Sequence, residues 1–245
     1  MKINKKIFTI TFLIIGAIGI LAFTKNKYAE NENILSHVVD LKIQNLKFYW
    51  KNNHGEVFGN FEKLRKWSNS KNENLIFATN GGMYKKDQSP QGLFIENGKL
   101  KSKIDRLEKG YGNFYLQPNG IFCITNDNIG IICKTPDFKN KNIKYATQSG
   151  PLLVIDGEIH DKFRNGSKNL NIRNGVGILP DGKLIFAMSK QKINFYDFAS
   201  YFKKIGCKNA LYLDGFVSKT YLPEKNWNSI NGNFGVIIGE TVKNN

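Results

Sequence analysis

Two glycine-containing segments in the last third of the chain hold the side chains best suited to chemistry. Arg173 precedes Asn174 and Gly175, and Asp214 follows an apolar run and precedes Gly215. A buried strand that ends in a carboxylate and a glycine often borders a binding site, because glycine lets the backbone approach a ligand closely. A guanidinium can hold a phosphate through two parallel hydrogen bonds. We therefore expect a pocket for an anionic, sugar-like ligand.

Both residues also have a purely structural interpretation. Arg173 could be a surface arginine paired with a carboxylate, and Asp214 could accept backbone N–H bonds within its own turn. An unpaired charge after three apolar residues is costly, so Asp214 needs either a partner or a function. The sequence is compatible with both interpretations.

Two other predicted strand ends carry similar residues. Asn80, Gly81 and Gly82 could present an amide side chain and backbone N–H groups to an oxyanion. Ser149 and Gly150 offer a hydroxyl group and another close approach of the backbone. Each segment could equally be a tight turn. Together with the segments at Arg173 and Asp214, they predict that four strand ends with adjacent glycines meet at one site.

Several other chemistries are disfavoured. The chain has three histidines and no Gly-x-Ser-x-Gly motif, which argues against acyl transfer. His160, just past a turn at Asp156-Gly157, is the reserve acid or base, with a surface loop histidine as the alternative. Phosphate loops and dinucleotide fingerprints are absent from the sequence, and its three cysteines lack zinc-site spacing. We predict no cofactor and no metal site, although a divalent ion bound through Asp214 stays compatible with the sequence.

The elements that must position these residues are mostly strands. Apolar runs are separated by turn signals at residues 97–98, 126–128, 156–157 and 180–182, which predicts a series of hairpins. A helix is expected between Asn194 as its N-cap and Gly206 as its stop, and a shorter one after Asn60.

Residues 34–49 alternate between apolar and polar and predict a strand pair or one long edge strand. The fold class expected from these patterns is α+β, with mixed, largely antiparallel twisted sheets and a few helices. The length of the chain predicts a single domain over residues 31–245.

Residues 1–30 have the pattern of a signal peptide or an N-terminal membrane anchor. Three lysines precede an uncharged apolar stretch from Ile7 to Phe23. This stretch is intermediate in length between a signal core and a minimal membrane-spanning helix, so both interpretations stay open. Lysines before the stretch favour a cytoplasmic N-terminus. The remainder is then expected outside the cytoplasm, in the periplasm or at the cell surface, and tied to the membrane if the segment is not cleaved.

The net charge of +16 has two explanations. A general compositional bias toward lysine accounts for it without any function. Alternatively, the surface attracts anionic glycans or sugar phosphates, since summed positive charge raises their local concentration. Nucleic acid is disfavoured as a partner, because the lysines are scattered and no nucleic-acid motif is present.

Cys123 and Cys133 lie on two apolar runs joined by a turn. In an oxidising compartment they could form a disulfide across a hairpin if the register brings them together. They could equally be two small buried hydrophobic residues.

Seven ordered segments of the chain resemble the phosphodiester glycosidase family. They are residues 80–84, 89–93, 112–115, 118–120, 146–151, 173–177 and 209–215, and the resemblance extends from Leu75 to Ile238. It implies hydrolysis of a sugar 1-phosphodiester, with Arg173 and Asp214 lining the site beside Asn80 and the Ser149-Gly150 corner.

The chain departs from the family pattern after Gly215. Phe216 and Lys219 stand where the eukaryotic members have small residues, while Ser218 keeps a matching hydroxyl position. The resemblance therefore leaves the substrate preference open. Two other functions also stay open, namely a non-catalytic envelope module that binds anionic glycans and a glycosidase acting on another linkage.

Overall fold

The computed structural model describes residues 31–213 and 217–244. Within them, the two helices are α1 (Phe61–Asn69) and α2 (Phe195–Lys204). The strands are, in chain order, β1 (Ile34–Val39), β2 (Leu46–Tyr49), β3 (Glu73–Asn80), β4 (Phe94–Glu96), β5 (Lys99–Ser102), β6 (Gly120–Thr125), β7 (Gly130–Lys134), β8 (Ile143–Ser149), β9 (Leu152–Ile155), β10 (Glu158–Ile159), β11 (Asn174–Ile178), β12 (Leu184–Ser189), β13 (Ala210–Tyr212), β14 (Thr220–Leu222), β15 (Trp227–Asn228) and β16 (Ile237–Lys243).

These strands form three sheets. Sheet A has the order β1-β12-β11-β13-β9-β10, sheet B has the order β15-β14-β3-β16-β2, and sheet C has the order β5-β4-β8-β6-β7. Neighbouring strands in all three sheets pair antiparallel. The predicted α+β class with largely antiparallel sheets is therefore confirmed.

The three sheets share one hydrophobic core. Phe186 of sheet A, Phe77 of sheet B and Phe122 of sheet C all belong to it. Alternation along the strands sends the intervening residues to other clusters: Ile121 packs on the outer face of sheet C, and Ile237 packs with α1 on sheet B. Because alternate residues of each strand point to opposite faces of its sheet, the residues between the core positions face the outer clusters or the solvent.

The local signals for helices and turns are confirmed. The Asn60 side chain accepts a hydrogen bond from Lys63 N at the start of α1, and Asn194 does the same for Asp197 N at the start of α2. The β4–β5 hairpin turns at Asn97 and Gly98, both with positive φ, as a two-residue turn of this type requires.

The segment at residues 34–49 is organised differently from the prediction. β1 and β2 are neither paired with each other nor parts of one long strand. β1 is an edge strand of sheet A and β2 is an edge strand of sheet B. The pattern identified two half-buried strands, but their partners lie far along the chain, where Ile34 pairs with Ser189 and Leu46 with Glu240.

The cysteines are free thiols. The β6–β7 register places Cys123 opposite Ile131 and Cys133 opposite Ile121, so the two cysteines do not face each other directly. Both contribute to the apolar cluster on the outer face of sheet C. Burial raises the pKa of Cys123 to about 12 and that of Cys133 to about 11, which keeps them protonated at neutral pH. Of the two interpretations, the buried small hydrophobic residues fit this structure.

Residues 33–245 form one compact unit. The predicted signal peptide or anchor at residues 1–30 lies outside the described residues and stays a prediction. Among the helices that are described, none has the length and apolar composition needed to cross a membrane.

A buried contact between a histidine and a glutamate links sheets A and B. His37 on β1 contacts Glu240 on β16, with Nε2 and Oε2 2.7 Å apart, and its ring stacks on Phe77 with 4.4 Å between ring centroids. The Glu240 side chain is 3 % exposed and also accepts a hydrogen bond from Gln44 Nε2. The imidazole therefore packs on Phe77 and contacts the Glu240 carboxyl group at the same time.

Replacing His37 by Ala should lower the free energy of unfolding by about 3 kcal/mol, because it removes a ring packed on Phe77 and leaves the buried Glu240 carboxyl group without its histidine contact. Urea unfolding measures this. His54→Ala is the matched control, since His54 is exposed in a turn, and it should change stability by less than about 0.5 kcal/mol. Equal losses in the two variants would contradict a stabilising His37–Glu240 pair.

Candidate active site

Strand ends from all three sheets meet at one place. β3 ends at Asn80, β8 ends at Ser149, β13 ends at Tyr212, and β11 begins at Asn174. Ser149 Oγ donates to Leu213 O, Leu213 N donates to Asn174 O at 3.1 Å, and Asn174 Nδ2 donates to Asn80 Oδ1 at 3.1 Å. We call Asn80, Ser149, Asn174 and Leu213 the strand-end cluster. Its hydrogen bonds join sheets A, B and C directly.

Asn80 is the polar group of the cluster with unused bonding capacity. It is 1 % exposed, and its Oδ1 accepts from Lys219 N at 2.8 Å as well as from Asn174 Nδ2. The Lys219 backbone N–H can only donate, so it fixes which end of the Asn80 amide is the oxygen. Asn80 Nδ2 is buried and has no hydrogen-bond partner among the described residues, which do not include residues 214–216. A donor left in this state costs about 1 to 3 kcal/mol, which an acceptor oxygen on a ligand would recover.

Asp214 and Gly215, two of the predicted site residues, lie outside the described residues. The residues on either side of residues 214–216 are anchored to the cluster. Leu213 bonds to Ser149 and Asn174, and Ser218 Oγ donates to Asn174 Oδ1 at 3.2 Å. The structure thus brings Asn80, Ser149 and Ser218 together through Asn174.

The glycines beside the cluster are required by close packing. A Cβ on Gly82 would lie 2.4 Å from Gln148 O, and one on Gly150 would lie 2.7 Å from Asn119 Cβ. Gly81 is similarly confined, with Val236 Cγ1 at 2.7 Å from an added Cβ, and its N–H donates to Val236 O. The Gly81 N–H group is therefore not available to an oxyanion, whereas the amide side chain of Asn80 has a free donor among the described residues.

Arg173 is fully buried and held by protein groups. Its Nε donates to Ile193 O at 2.8 Å, NH1 to the Tyr212 hydroxyl at 3.2 Å and NH2 to Asn169 O at 2.9 Å. Its Cζ lies 3.6 Å from the centroid of the Phe195 ring. These bonds use three of the five N–H groups, so at most two can reach a ligand.

The environment of Arg173 excludes the surface ion pair that the sequence allowed. Within residues 31–213 and 217–244, no carboxylate forms an ion pair with it. Burial lowers the pKa of Arg173, and Tyr212 partly offsets this effect. A guanidinium nevertheless stays protonated in proteins, so a positive charge is held inside the fold near the end of β13.

Arg173 and Asn174 point to opposite faces of sheet A. Arg173 lies against Phe195 of α2, whereas Asn174 contacts Asn80 of sheet B. Alternation along an extended chain produces this separation. The structure therefore brings Asn80 to Asn174 directly, and brings Arg173 to the same strand end on the other face.

His160 is buried, so the interpretation of this residue as a surface loop histidine is wrong. It is 2 % exposed and stacks on Phe163 at 4.7 Å between ring centroids. Nε2 bonds to Gln117 O at 3.1 Å, and Nδ1 lies 3.2 Å from Lys162 N and 3.1 Å from Asp161 Oδ1. Burial lowers the pKa of His160 more than the neighbouring Asp161 raises it. A reacting group would have to displace one of these bonds to use the ring as an acid or base.

Sequence reasoning missed Asn174 and Tyr212 as site residues. Asn174 makes the central hydrogen bonds of the cluster, and Tyr212 bonds the guanidinium two residues before Asp214. Their positions contained a signal, because Asn174 follows Arg173 in one segment and Tyr212 lies in the apolar run before Asp214. Period-two alternation would have assigned Arg173 and Asn174 to different faces.

Known structures share this fold. The catalytic domain of zebrafish N-acetylglucosamine-1-phosphodiester alpha-N-acetylglucosaminidase, auto-inhibited by its pro-peptide, is similar with a TM-score of 0.56 and 16 % identity, over 87 % of this chain and 85 % of that one. A putative exported protein from Burkholderia pseudomallei K96243 gives a TM-score of 0.55 at 9 % identity, over 84 % of this chain and 73 % of that one. At these identities the likeness shows the fold alone.

Sequence similarity goes further. Uncharacterized protein YigE of Escherichia coli K12 is 37 % identical over 190 residues, which is 77 % of this chain and 74 % of that protein. The family model described as phosphodiester glycosidase matches residues 73–240, which include every residue of the strand-end cluster. The chain belongs to the phosphodiester glycosidase family.

Proposed function

We propose that this protein hydrolyses a sugar 1-phosphodiester and releases the free sugar. Membership of the phosphodiester glycosidase family supports a glycosidase-like role. The observation that carries the proposal is the buried Asn80 Nδ2, a donor without a partner in the strand-end cluster. A phosphate oxygen is a strong acceptor for such a group. The zebrafish protein is named for the cleavage of an N-acetylglucosamine 1-phosphodiester, which makes this sugar the first one to test.

In the proposed reaction, water adds to the anomeric carbon of the sugar. The bond from this carbon to the bridging oxygen breaks, and that oxygen leaves with the phosphate. The products are the free sugar and a phosphomonoester, and one proton of the water is released. Because a phosphate leaving group is already acidic, it needs little protonation, and the main requirements are a bound phosphate and a stabilised anomeric centre.

Three residues share the proposed roles. Asn80 binds a phosphate oxygen through Nδ2, and Asp214 either activates the water or faces the positively charged anomeric carbon. Arg173 contributes its positive charge and holds Tyr212, so any direct contact with the phosphate uses the N–H groups that remain. Ser149 holds Leu213, which precedes residues 214–216, and Ser218, which follows them, bonds to Asn174.

We further propose that the protein acts outside the cytoplasm on envelope or extracellular glycans. The lysine-flanked apolar segment within residues 1–30 supports export, and the net charge of +16 suits an anionic substrate. If the segment is retained, it attaches the protein to the membrane.

The full-length chain, purified in a mild detergent, should release reducing sugar from a panel of alkyl sugar 1-phosphates, with the N-acetylglucosamine compound tested first. Asp214→Asn should lower turnover by about 100-fold or more while keeping the circular dichroism spectrum and melting temperature, because it removes the proposed base or carboxylate. Retention of the compounds without sugar release by the unmodified chain would contradict hydrolysis and favour a binding module. Unfolding of Asp214→Asn would show a structural role for Asp214.

Asn80→Asp should reduce kcat/KM by about 100-fold, since it replaces the proposed phosphate donor with an oxygen that repels the phosphate. Steady-state kinetics measure this. Asn60→Asp makes the same chemical change at the α1 N-cap, where Asp serves as well as Asn, and should leave kcat/KM unchanged. If Asn80→Asp retains full activity, Asn80 does not bind the phosphate.

Arg173→Lys should lower the free energy of unfolding by about 3 kcal/mol, because an ammonium cannot satisfy both carbonyl groups and the tyrosine hydroxyl from one position. The exposed Arg164 also donates to backbone carbonyls, those of Asp161 and Phe163. Arg164→Lys should therefore cost less than about 0.5 kcal/mol in the same urea unfolding measurement. Comparable losses would show that burial of the Arg173 contacts adds no stability.

A further inference from the structure

A concave site lies near the strand-end cluster, since its lining residue Asn119 lies against Gly150. Its volume is about 660 Å³, which is within the range of small-molecule sites. Four stretches of chain line it, namely residues 106–109, residues 115 and 117–119, residues 134–136, and residues 161–162. We call it the basic cleft. None of its lining residues belongs to the strand-end cluster.

The lining of the basic cleft carries an excess of positive charge. Two carboxylates are opposed by four cationic side chains, which belong to Arg106, Lys109, Lys134 and Lys162. None of these four forms an ion pair with any carboxylate within residues 31–213 and 217–244. Unpaired cations around a concave surface concentrate anions there, and they attract a ligand with several phosphates more than one with a single phosphate.

The walls of the basic cleft are tied together by one buried amide. Gln148 is fully buried, its Oε1 accepts from Leu93 N and Asp105 N, and its Nε2 donates to Asp105 O at 2.6 Å and to Thr135 Oγ1 at 3.2 Å. Asp105 leads into the wall at residues 106–109, and Thr135 belongs to the wall at residues 134–136. The Tyr115 hydroxyl also donates to Asp105 Oδ2 at 2.9 Å. The cleft is thus built by specific bonds between its parts.

A short path connects the basic cleft to the strand-end cluster. Asn119 lines the cleft, and its Cβ is 2.7 Å from where a Cβ on Gly150 would lie. The preceding residue, Ser149, donates to Leu213 O, and Leu213 is followed by Asp214. The Ser149-Gly150 corner therefore packs against the cleft lining at Asn119 and belongs to the strand-end cluster through Ser149.

We propose that the basic cleft binds a second phosphate of the substrate, carried on the group to which the sugar phosphate is attached. This inference rests on the function proposed above, and it specifies the substrate class as an oligomer or polymer of phosphodiester-linked sugars. Phosphates in such a chain recur at each repeat, so a phosphate at Asn80 is accompanied by a neighbour along the chain. The four cations of the cleft, which have no ion-pair partner among the described residues, suit that neighbour, and the cleft residue Asn119 lies against Gly150. A single sugar phosphate with a small alcohol would leave the cleft unused.

The test compares the binding of two probes by isothermal titration calorimetry to the full-length chain at low salt. One probe is the uncleavable phosphonate analogue of methyl N-acetylglucosamine 1-phosphate, and the other is the corresponding dimer with two phosphonate groups. The dimer should bind about tenfold tighter than the monomer, as charge-assisted hydrogen bonds to a second anion predict. Raising the salt concentration should reduce this preference, because most of the cations are exposed.

Lys134→Ala combined with Lys162→Ala should bring the dimer-to-monomer affinity ratio close to one. Lys71→Ala combined with Lys190→Ala removes the same net charge from exposed positions outside the cleft, and it should preserve the ratio. Equal binding of both probes by the unmodified chain would overturn the proposal, while sugar release from the alkyl sugar phosphates would still support hydrolysis. A single-stranded DNA tetranucleotide that competes as well as the dimer would also overturn it, since the cleft would then recognise polyanions in general.

Discussion

A buried hydrogen bond between two asparagine side chains, Asn174 and Asn80, is the constraint on which the strand-end cluster depends. It connects the start of β11 in sheet A to the end of β3 in sheet B. Because Asn80 Oδ1 accepts from both Asn174 and the Lys219 backbone, the amide cannot rotate without losing two bonds. Its Nδ2 is consequently held in one direction and has no acceptor within residues 31–213 and 217–244. Preorganised donors of this kind are effective because no reorganisation is needed when the ligand binds.

The opposite face of β11 provides the support for this arrangement. Arg173 is enclosed by two backbone carbonyls, a tyrosine hydroxyl and an aromatic ring. Phe163 stacks between His160 and Phe195, with ring centroids at 4.7 Å and 4.9 Å, so His160 and Arg173 terminate one column of rings. Both residues looked like reactive groups in the sequence. In the fold both are packed against the same column of aromatic rings, near the end of β13.

The sequence predicted what depends on neighbouring residues and missed what depends on distant ones. The caps at Asn60 and Asn194 and the turn at Asn97 were predictable, because each signal lies within a few residues. The separation of β1 and β2 into different sheets was not, since their pairing partners lie about 150 to 190 residues away.

The candidate site was predictable to a similar extent. Asn80 and Ser149 were identified because polar residues at strand ends beside glycines mark corners, and both belong to the cluster. The burial of His160 could not be inferred, since its neighbours Gln117 and Phe163 meet it only through the tertiary fold. The Cys123–Cys133 question depended on the hairpin register, which the turn sequence alone did not specify.

The saturated amide of Gln148 has a consequence for how the molecule can move. The amide oxygen accepts two hydrogen bonds and the amide nitrogen donates two. Separating the stretches at Asp105 and Thr135 would therefore break hydrogen bonds on both sides of this buried side chain. The distance between those stretches is therefore fixed when the protein folds. The basic cleft would then exclude ligands that are too wide for it, and it would select by size without closing around the ligand.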